Sequence, residues 1–187
     1  MTKNTKSTKV ITGSDVTLSY VHLTEPKSVN GSTPKYGASL LIKKSDALTL
    51  SRVKAAIQVA YEEGQNKLRG NGKTVPPLSA IKTPLRDGDI ERPDDPAYAG
   101  CFFINANSTT APGIVDANLQ RITDPSEIYS GMKARVSITF YPYNSNGNRG
   151  IACGLNNVQK IADGTPLGGR ARAEDDFASD DDGDFLN

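Results

Sequence analysis

Residues 128–169 decide the fold, and they read IYSGMKARVSITFYPYNSNGNRGIACGLNNVQKIADGTPLGG. Two β-strands are predicted here, over 132–143 and 150–161, joined by a turn over 144–148 in which Gly147 is free to take a positive φ. In the first strand apolar residues alternate with polar ones, which indicates one buried face. The second strand keeps a single apolar face through a bulge that we expect at Asn156-Asn157. The inward set of the first strand is Met132, Ala134, Val136, Ile138 and Phe140, and the outward set is Lys133, Arg135, Ser137, Thr139, Tyr141 and Tyr143.

The outward face of the first strand carries two cations, two hydroxyls and two tyrosines. Cations that can meet phosphates, interleaved with aromatic rings that can stack on bases, suit a surface for single-stranded nucleic acid. Arg149, at the start of the return strand, adds a further cation. From this strand alone, an ordinary solvated face with incidental tyrosines is the alternative.

The same stretch resembles the C-terminal signature of phage-encoded single-stranded DNA-binding proteins with an OB-type fold. That signature joins a Gly-led strand ending in aromatics to a Gly-x-x-x-x-Leu-x-x-Val-Gln strand and an Asp-Gly-x-x-x-Gly-Gly turn. It covers about a quarter of the chain. The resemblance implies the fold and the class of ligand, and it assigns no contacts. The matching positions are Gly131, Tyr141, Tyr143, Gly150, Leu155, Val158, Gln159, Asp163, Gly164, Gly168 and Gly169.

Composition sets limits on the class of protein. A chain of 187 residues predicts one domain. No apolar run approaches the 18 residues of a membrane span, and the N-terminal lysines have no apolar segment behind them, so no signal peptide is predicted. Cys101 and Cys153 lie in apolar strand patterns and are expected to be small buried residues in a reduced compartment, the host cell cytoplasm. The lone His22 is expected to be structural or exposed.

The net charge of +1 hides an asymmetry between the body and the C-terminus. Residues 174–187 carry seven Asp and Glu and no cation, so residues 1–173, with 22 Lys and Arg against the remaining 14 acids, carry a net charge of +8. We therefore predict a flexible hinge and acidic tail over 166–187 that competes with DNA for a basic groove. Bacterial and phage single-stranded DNA-binding proteins similarly end in acids with a terminal aromatic. The residues expected to bind replication partners are Asp180, Asp181, Asp182, Asp184, Phe185 and Leu186.

The rest of the chain predicts a mainly β protein with one long helix and extended loops. A polar basic arm over 1–9 is followed by strands at 15–23, 35–43, 98–108 and 113–117. In the first of these strands, Val16, Leu18 and Tyr20 share one face. Apolar residues recur every three or four positions over 45–67, which predicts a helix that packs on the strands. This inventory suits a five-stranded Greek-key barrel of the OB type over 10–165.

Four more residues are candidates for binding DNA. Lys35 and Lys43 lie at the ends of the second strand and are expected to line the groove. Tyr36 is a candidate for stacking, although Ala38, Leu40 and Ile42 share its face and core packing is the alternative. Phe103 shares a face with two asparagines in the strand over 98–108, where it can either contact a base or be buried.

An acidic cluster interrupts the irregular segment over 69–96 and offers an alternative function. Alternating carboxylates can bind divalent metals, as in two-metal nucleases. Arg86 and Arg92 interleave with them, which is typical of a solvated loop, and no nearby histidine or lysine completes a hydrolytic site. The cluster is Asp87, Asp89, Glu91, Asp94 and Asp95.

The sequence therefore predicts a sequence-tolerant single-stranded DNA-binding protein of phage replication or recombination. It predicts no enzymatic activity, no cofactor and no metal. The expected partners are single-stranded DNA and, through the tail, phage or host replication proteins. A homodimer is compatible with the sequence, and no membrane partner is expected. A metal-dependent nuclease and a structural virion protein remain as alternatives.

Overall fold

The structure is a computed structural model that describes residues 7–28 and 30–167. Within these residues the fold is mainly β with few helices. No helix of this part of the chain is long and apolar enough to cross a membrane. The strands are β1 (Lys9–Ile11), β2 (Val16–Lys27), β3 (Lys35–Lys43), β4 (Arg86–Asp87), β5 (Cys101–Ser108), β6 (Gly113–Val115), β7 (Lys133–Ser145) and β8 (Asn148–Ala162). The helices are α1 (Ala47–Glu63), α2 (Gln65–Arg69) and α3 (Gly88–Glu91).

Five of the strands pair in a cycle, which we call the five-strand ring. β2 pairs with β3 and with β7, β3 pairs with β5, and β7 pairs with β8, all of them antiparallel. β5 closes the cycle on β8 through one parallel pair, Asn107 with Gly154. The remaining strands add to this ring: β1 on β7, β4 on β5 and β6 on β8.

The β7–β8 hairpin confirms the pattern predicted for residues 128–169. Ala134 and Phe140 are buried, together with the apolar residues that alternate between them. The two-residue turn has φ of 52° at Asn146 and 85° at Gly147, both in the left-handed region. The predicted bulge is present, because Ser137 pairs with Asn157 while Ile138 pairs with Leu155, which leaves one extra residue on β8.

Helix α1 begins and ends close to the predicted limits. The Asp46 carboxylate accepts from the Thr49 N–H at 3.2 Å and caps the first turn. The apolar stripe, which includes Val53 and Ile57, belongs to the same core as the inward residues of the ring strands. The predicted helix divides at Gly64, where an added Cβ would collide with the Pro142 side chain.

The outward side of β5 is covered at Phe103, and this corrects the expectation for that residue. The segment from β4 to Tyr98 lies over this strand, with Arg86 opposite Phe103 in register. Tyr98 packs edge-to-face on Phe103 with centroids 5.0 Å apart, and Phe103 is only 1% exposed. It therefore has no surface to offer a base. Local alternation places Phe103 on the outward face, but the covering segment turns that position into a second small core with Leu41 and Cys101.

The first and last described segments are both hydrogen-bonded to the strand ring or to the loop that precedes β7. At the N-terminus β1 begins at Lys9, inside the predicted arm, and the Phe140 N–H donates to the Thr8 carbonyl at 2.9 Å. Leu167 is the last of the described residues, and its N–H donates to the Ser130 carbonyl at 2.9 Å. The predicted tail residues, Asp180, Asp181, Asp182, Asp184, Phe185 and Leu186, lie outside the described residues, as do Gly168 and Gly169 of the signature.

Candidate nucleic-acid interface

Two adjoining cavities of about 500 and 520 Å³ form a trough across the outer face of the strand ring. They share Lys35, Asn105 and Asn107, so they are continuous. No Asp or Glu among the described residues lines either cavity. We call this surface the basic trough, and its polar and aromatic lining includes Lys27, Lys35, Lys82, Arg86, Arg92, Tyr20, Tyr141, Tyr143, His22, Asn105 and Asn107.

Most cations of the basic trough have no carboxylate partner in the part of the chain that the structure describes. Within residues 7–28 and 30–167, the structure gives no ion pair to Lys27, Lys35, Lys82 or Arg92. Arg86 differs, because its Nε lies 3.3 Å from Glu91 Oε1. Unpaired cations along a channel are free to neutralise the phosphates of a strand.

The two tyrosines predicted from β7 both line the basic trough. Tyr141 is 47% exposed, and its ring lies over Gly154, within 3.6 Å of where a Cβ would stand. Tyr143 is half-buried against Gly150 of the facing strand. Two glycines on β8 thus give the rings space to lie along the sheet, with the Tyr141 face open to solvent.

Exposed amides and a glycine form the floor between the ends of the trough. Asn105 and Asn107 project from β5, and the Ser39 hydroxyl donates to the side-chain oxygen Oδ1 of Asn105. A Cβ on Gly37 would collide with the Asn107 side chain and the Ala106 carbonyl. The β2–β3 register shifts on both sides of the pair formed by His22 and Gly37.

Tyr20 is a trough residue that the sequence analysis missed. The alternation of β2 predicts that Tyr20 faces inward with Leu18, but a bulge after Ser19 turns it outward and leaves it 55% exposed. Its φ is +49°, a left-handed value that costs a non-glycine residue about 1–2 kcal/mol. The Arg92 guanidinium carbon lies 5.8 Å from the centroid of the Tyr20 ring. No Gly or Asn in β2 signals this bulge in the sequence.

Three of the predicted cations lie elsewhere on the ring, outside the trough lining. Lys43 Nζ is 2.6 Å from Asp15 Oδ2, and Lys133 Nζ is 3.5 Å from Asp15 Oδ1. Lys133 also donates to the Thr17 hydroxyl at 2.6 Å. The hydrogen bond from Lys43, together with the charge of Lys133, holds the pKa of the Asp15 carboxyl below its usual value. Arg135 Nε donates to the Thr12 carbonyl at 3.4 Å.

The remaining two predicted site residues are also outside the trough. Tyr36 is half-buried on the inward side of β3, next to the buried Ala38. Arg149 is half-buried near Gly72, and its Nε is buried without a hydrogen-bond partner among the described residues. Of the predicted binding residues, only Tyr141, Tyr143 and Lys35 line the trough.

The segment over 69–96 supplies cations to the trough, and its acids make structural contacts. Lys44 Nζ bridges Asp87 and Asp89 at 2.9 and 2.7 Å. The Lys44 hydrogen bond, followed by one from the Gly100 N–H, lowers the pKa of Asp89. Among the described residues there is no group of three or more His, Cys, Asp or Glu side chains placed to hold a metal. The nuclease hypothesis therefore has no support in the geometry of this cluster.

The other titratable candidates have structural explanations. His22 is half-buried at the trough, where burial and then the charge of Lys27 lower its pKa. Cys101 and Cys153 are free thiols, as predicted, and burial raises the pKa of both.

Comparisons with known proteins show what the whole chain is similar to. The family model described as "Enterobacter phage Enc34, ssDNA-binding protein" matches residues 8–186. A putative protein, p50, of Acyrthosiphon pisum secondary endosymbiont phage 1 is 31% identical over 171 residues, which cover 86% of this chain and 89% of that protein. The structure of the single-stranded DNA-binding protein of bacteriophage Enc34 in complex with ssDNA is similar with a TM-score of 0.68 and 28% identity, covering 86% of this chain and 88% of that one. The fold is also that of gp2.5, a single-stranded DNA-binding protein encoded by bacteriophage T7, with a TM-score of 0.63 and 18% identity over 94% of this chain and 96% of that one.

Proposed function

Because this chain belongs to the family of the Enterobacter phage Enc34 ssDNA-binding protein, we propose that it binds single-stranded DNA in the basic trough, without strong sequence preference, during phage replication or recombination in the host cell. The observation that carries the proposal is a continuous channel lined by tyrosines and by cations, most of which have no ion pair within residues 7–28 and 30–167, with no lining carboxylate in the same ranges. Its most direct contacts are Lys35, Tyr141 and Tyr143.

The chemistry of the trough favours an unpaired strand over a duplex. Tyr141 and Tyr143 present aromatic faces, and the faces of bases in a duplex are hidden in the stack. Each stacked base contributes roughly 1–3 kcal/mol and tolerates any sequence, because every base has a π-face. Phosphate pairing with Lys35 and Lys27 makes the affinity fall as salt rises.

We also propose that the five-strand ring is an OB-type Greek-key barrel. The cyclic pairing, with one parallel contact between β5 and β8, supports it. OB folds bind oligonucleotides on the face of their second and third strands. In the ring these strands are β3 and β5, which carry Lys35, Asn105 and Asn107.

The acidic tail is proposed to compete with DNA from the Tyr20 end of the trough. Pro166 and Leu167 line a third cavity, of about 690 Å³, which shares Tyr20, His22 and Lys27 with the trough. The residues that follow Leu167 include seven acids, and a short flexible tether gives an effective concentration on the order of mM. DNA would displace the tail and free Phe185-Leu186 for replication partners. Truncation after Ala173 should therefore tighten DNA binding at low salt, and equal or weaker binding would refute the competition.

A fluorescence titration with matched labelled single- and double-stranded oligonucleotides, at two salt concentrations, tests the main proposal. We expect tighter binding of the single strand and a loss of affinity at the higher salt concentration. Equal binding of both oligonucleotides, or the absence of salt-sensitive binding, would reject the proposal. Incubation with Mg²⁺ or Mn²⁺ in the same buffers should leave the DNA intact.

A further inference from the structure

The backbone of β2 holds Tyr20 in a conformation that its residue type disfavours. Ser19 pairs with Ser39 and His22 pairs with Gly37, so two residues of β2 stand opposite one residue of β3. The first of these two is Tyr20, with a φ of +49°. A bulge position with this φ is ordinarily occupied by glycine, which has no Cβ to clash. Tyrosine at this position calls for an explanation other than backbone geometry.

Packing does not supply that explanation. Tyr20 is 55% exposed, and its hydroxyl has no hydrogen-bond partner among the residues that the structure describes. By contrast, the Tyr61 hydroxyl donates to the Pro76 carbonyl, and the Tyr129 hydroxyl donates to Asp163. Residues with strained backbone conformations cluster at ligand-binding sites, where the side chain contacts the ligand instead of stabilising the fold.

The surroundings of Tyr20 suit a nucleotide. The Arg92 guanidinium lies 5.8 Å from the Tyr20 centroid and is also held near the rings of Tyr98 and Phe103 at 5.6 and 5.9 Å. It therefore orders one face of the Tyr20 ring while its N–H groups have no carboxylate partner within the described residues. The remaining exposed surface of the ring opens into the basic trough.

We propose that Tyr20 and Arg92 form a second base-stacking station, at the opposite end of the trough from Tyr141 and Tyr143. A base stacks on the open face of Tyr20, and Arg92 binds the adjacent phosphate. Lys35, which is shared by both cavities, contacts the strand between the two stations. This inference rests on the proposed function. Its distinguishing consequence is a dependence on strand length, because only an oligonucleotide that reaches both ends gains from both stations.

The test is a titration of the full chain with oligo(dT) of increasing length, from 2 to about 16 nucleotides, the upper range for one such domain. The variants are Tyr20→Gly, which removes the ring and relieves the left-handed strain, and Tyr20→Phe, which keeps the ring. The matched control is Leu119→Gly, because Leu119 is also exposed, also left-handed with a φ of 62°, and lines neither cavity of the trough.

We expect Tyr20→Gly to weaken binding of long oligonucleotides by about 10-fold or more and of the shortest ones by at most about 2-fold. Tyr20→Phe and Leu119→Gly should both bind as the natural protein does at every length. The melting temperature of Tyr20→Gly should be equal to or above that of the natural protein, since a strained residue is replaced by glycine.

Two results would overturn the second station while leaving the proposed function in place. One is unchanged affinity of Tyr20→Gly at all lengths, when the natural protein binds single strands. The other is an equal loss at all lengths together with a lower melting temperature, which would indicate a structural role. If the natural protein itself binds no oligonucleotide, the proposed function is rejected, and the second station is rejected with it.

Discussion

β3 carries a lysine at each end, and β7 carries a lysine at one end and tyrosines near the other, yet the surroundings of the two ends differ. β3 begins at Lys35, which lines the basic trough without an ion pair among the described residues, and ends at Lys43, which pairs with Asp15. β7 begins at Lys133, which shares the same Asp15, and runs on to Tyr141 in the trough. A strand face alone therefore does not define a binding surface. Among the described residues, Lys35 differs from Lys43 and Lys133 in having no ion pair with a carboxylate.

We call the region where Lys43 and Lys133 meet Asp15 the Asp15 end, and its ion pairs contribute little to the stability of the fold. Asp15 and Lys43 are both more than half exposed, and exposed pairs of this kind stabilise proteins by about 0–1 kcal/mol. Asp15 offsets one of the two positive charges of Lys43 and Lys133, so less net positive charge is left there to attract phosphates.

Removing the aromatic side chains of the trough should produce the largest change. Tyr141→Ala combined with Tyr143→Ala should weaken binding of single-stranded DNA by about 30-fold or more, because two stacked bases lose their platforms. Fluorescence anisotropy with a labelled oligonucleotide measures this. The single variant Tyr141→Ala should leave the melting temperature nearly intact, since the ring is half exposed.

The control for this pair comes from the other end of the same strand. Lys133→Ala combined with Arg135→Ala also removes two outward side chains of β7. If this control weakens binding as much as the tyrosine pair does, the contrast between the two ends is wrong.

Removing cations should change the salt dependence at one end only. Lys27→Ala combined with Lys35→Ala should make the negative slope of log K against log salt shallower by about 1.4. Each phosphate contact on a single strand contributes about 0.7 to the size of that slope. Lys43→Ala combined with Lys133→Ala should leave the slope unchanged. Titrations at four or more salt concentrations give both slopes, and equal slopes in the two variants would contradict the assignment.

Freeing the paired cations should have the smallest effect. Asp15→Asn leaves Lys43 and Lys133 without their carboxylate, yet the affinity for DNA should stay within about 2-fold, since neither lysine lines the trough. A clear gain in affinity would show that the Asp15 end can hold DNA once its carboxylate is removed.

The same variant should show a pH-dependent stability difference. The hydrogen bond from Lys43 lowers the pKa of Asp15 below 3.8, so the folded state favours the charged carboxylate. The stabilisation is present above that value and is lost as the pH falls through the lower folded pKa. The natural protein should therefore exceed Asp15→Asn by less than about 1 kcal/mol in urea unfolding at pH 7, and the difference should shrink toward pH 3.

Local patterns in the sequence predicted the parts of the fold that depend on near neighbours. Alternation gave the faces of β7, the Asn-Gly pair gave the turn at Gly147, and the broken alternation gave the bulge at Asn156. These features follow from residues only a few positions apart. The trough tyrosines of β7 could be predicted for the same reason.

The surroundings of other residues depend on contacts between distant parts of the chain, which local patterns do not predict. Lys43 is paired by Asp15, which lies 28 residues away, and Lys133 donates to Thr17, 116 residues away. Phe103 was placed correctly on the outward face, but the segment that ends at Tyr98 covers it. Tyr20 faces outward because of a bulge that arises from pairing with β3 and has no local signature.

The single pair that joins β5 to β8 has a mechanical consequence. Asn107 and Gly154 are the only residues that pair these two strands in the part of the chain that the structure describes, whereas β7 and β8 pair along nearly their whole lengths. This joint lies directly beneath the trough, because Asn107 lines it and the Tyr141 ring covers Gly154. Few hydrogen bonds resist local opening there. A polynucleotide bound in the trough would contact both β5 and β8 and so oppose their separation at the Asn107–Gly154 pair. Amide hydrogen exchange near Gly154 should therefore slow on DNA binding more than exchange in α1.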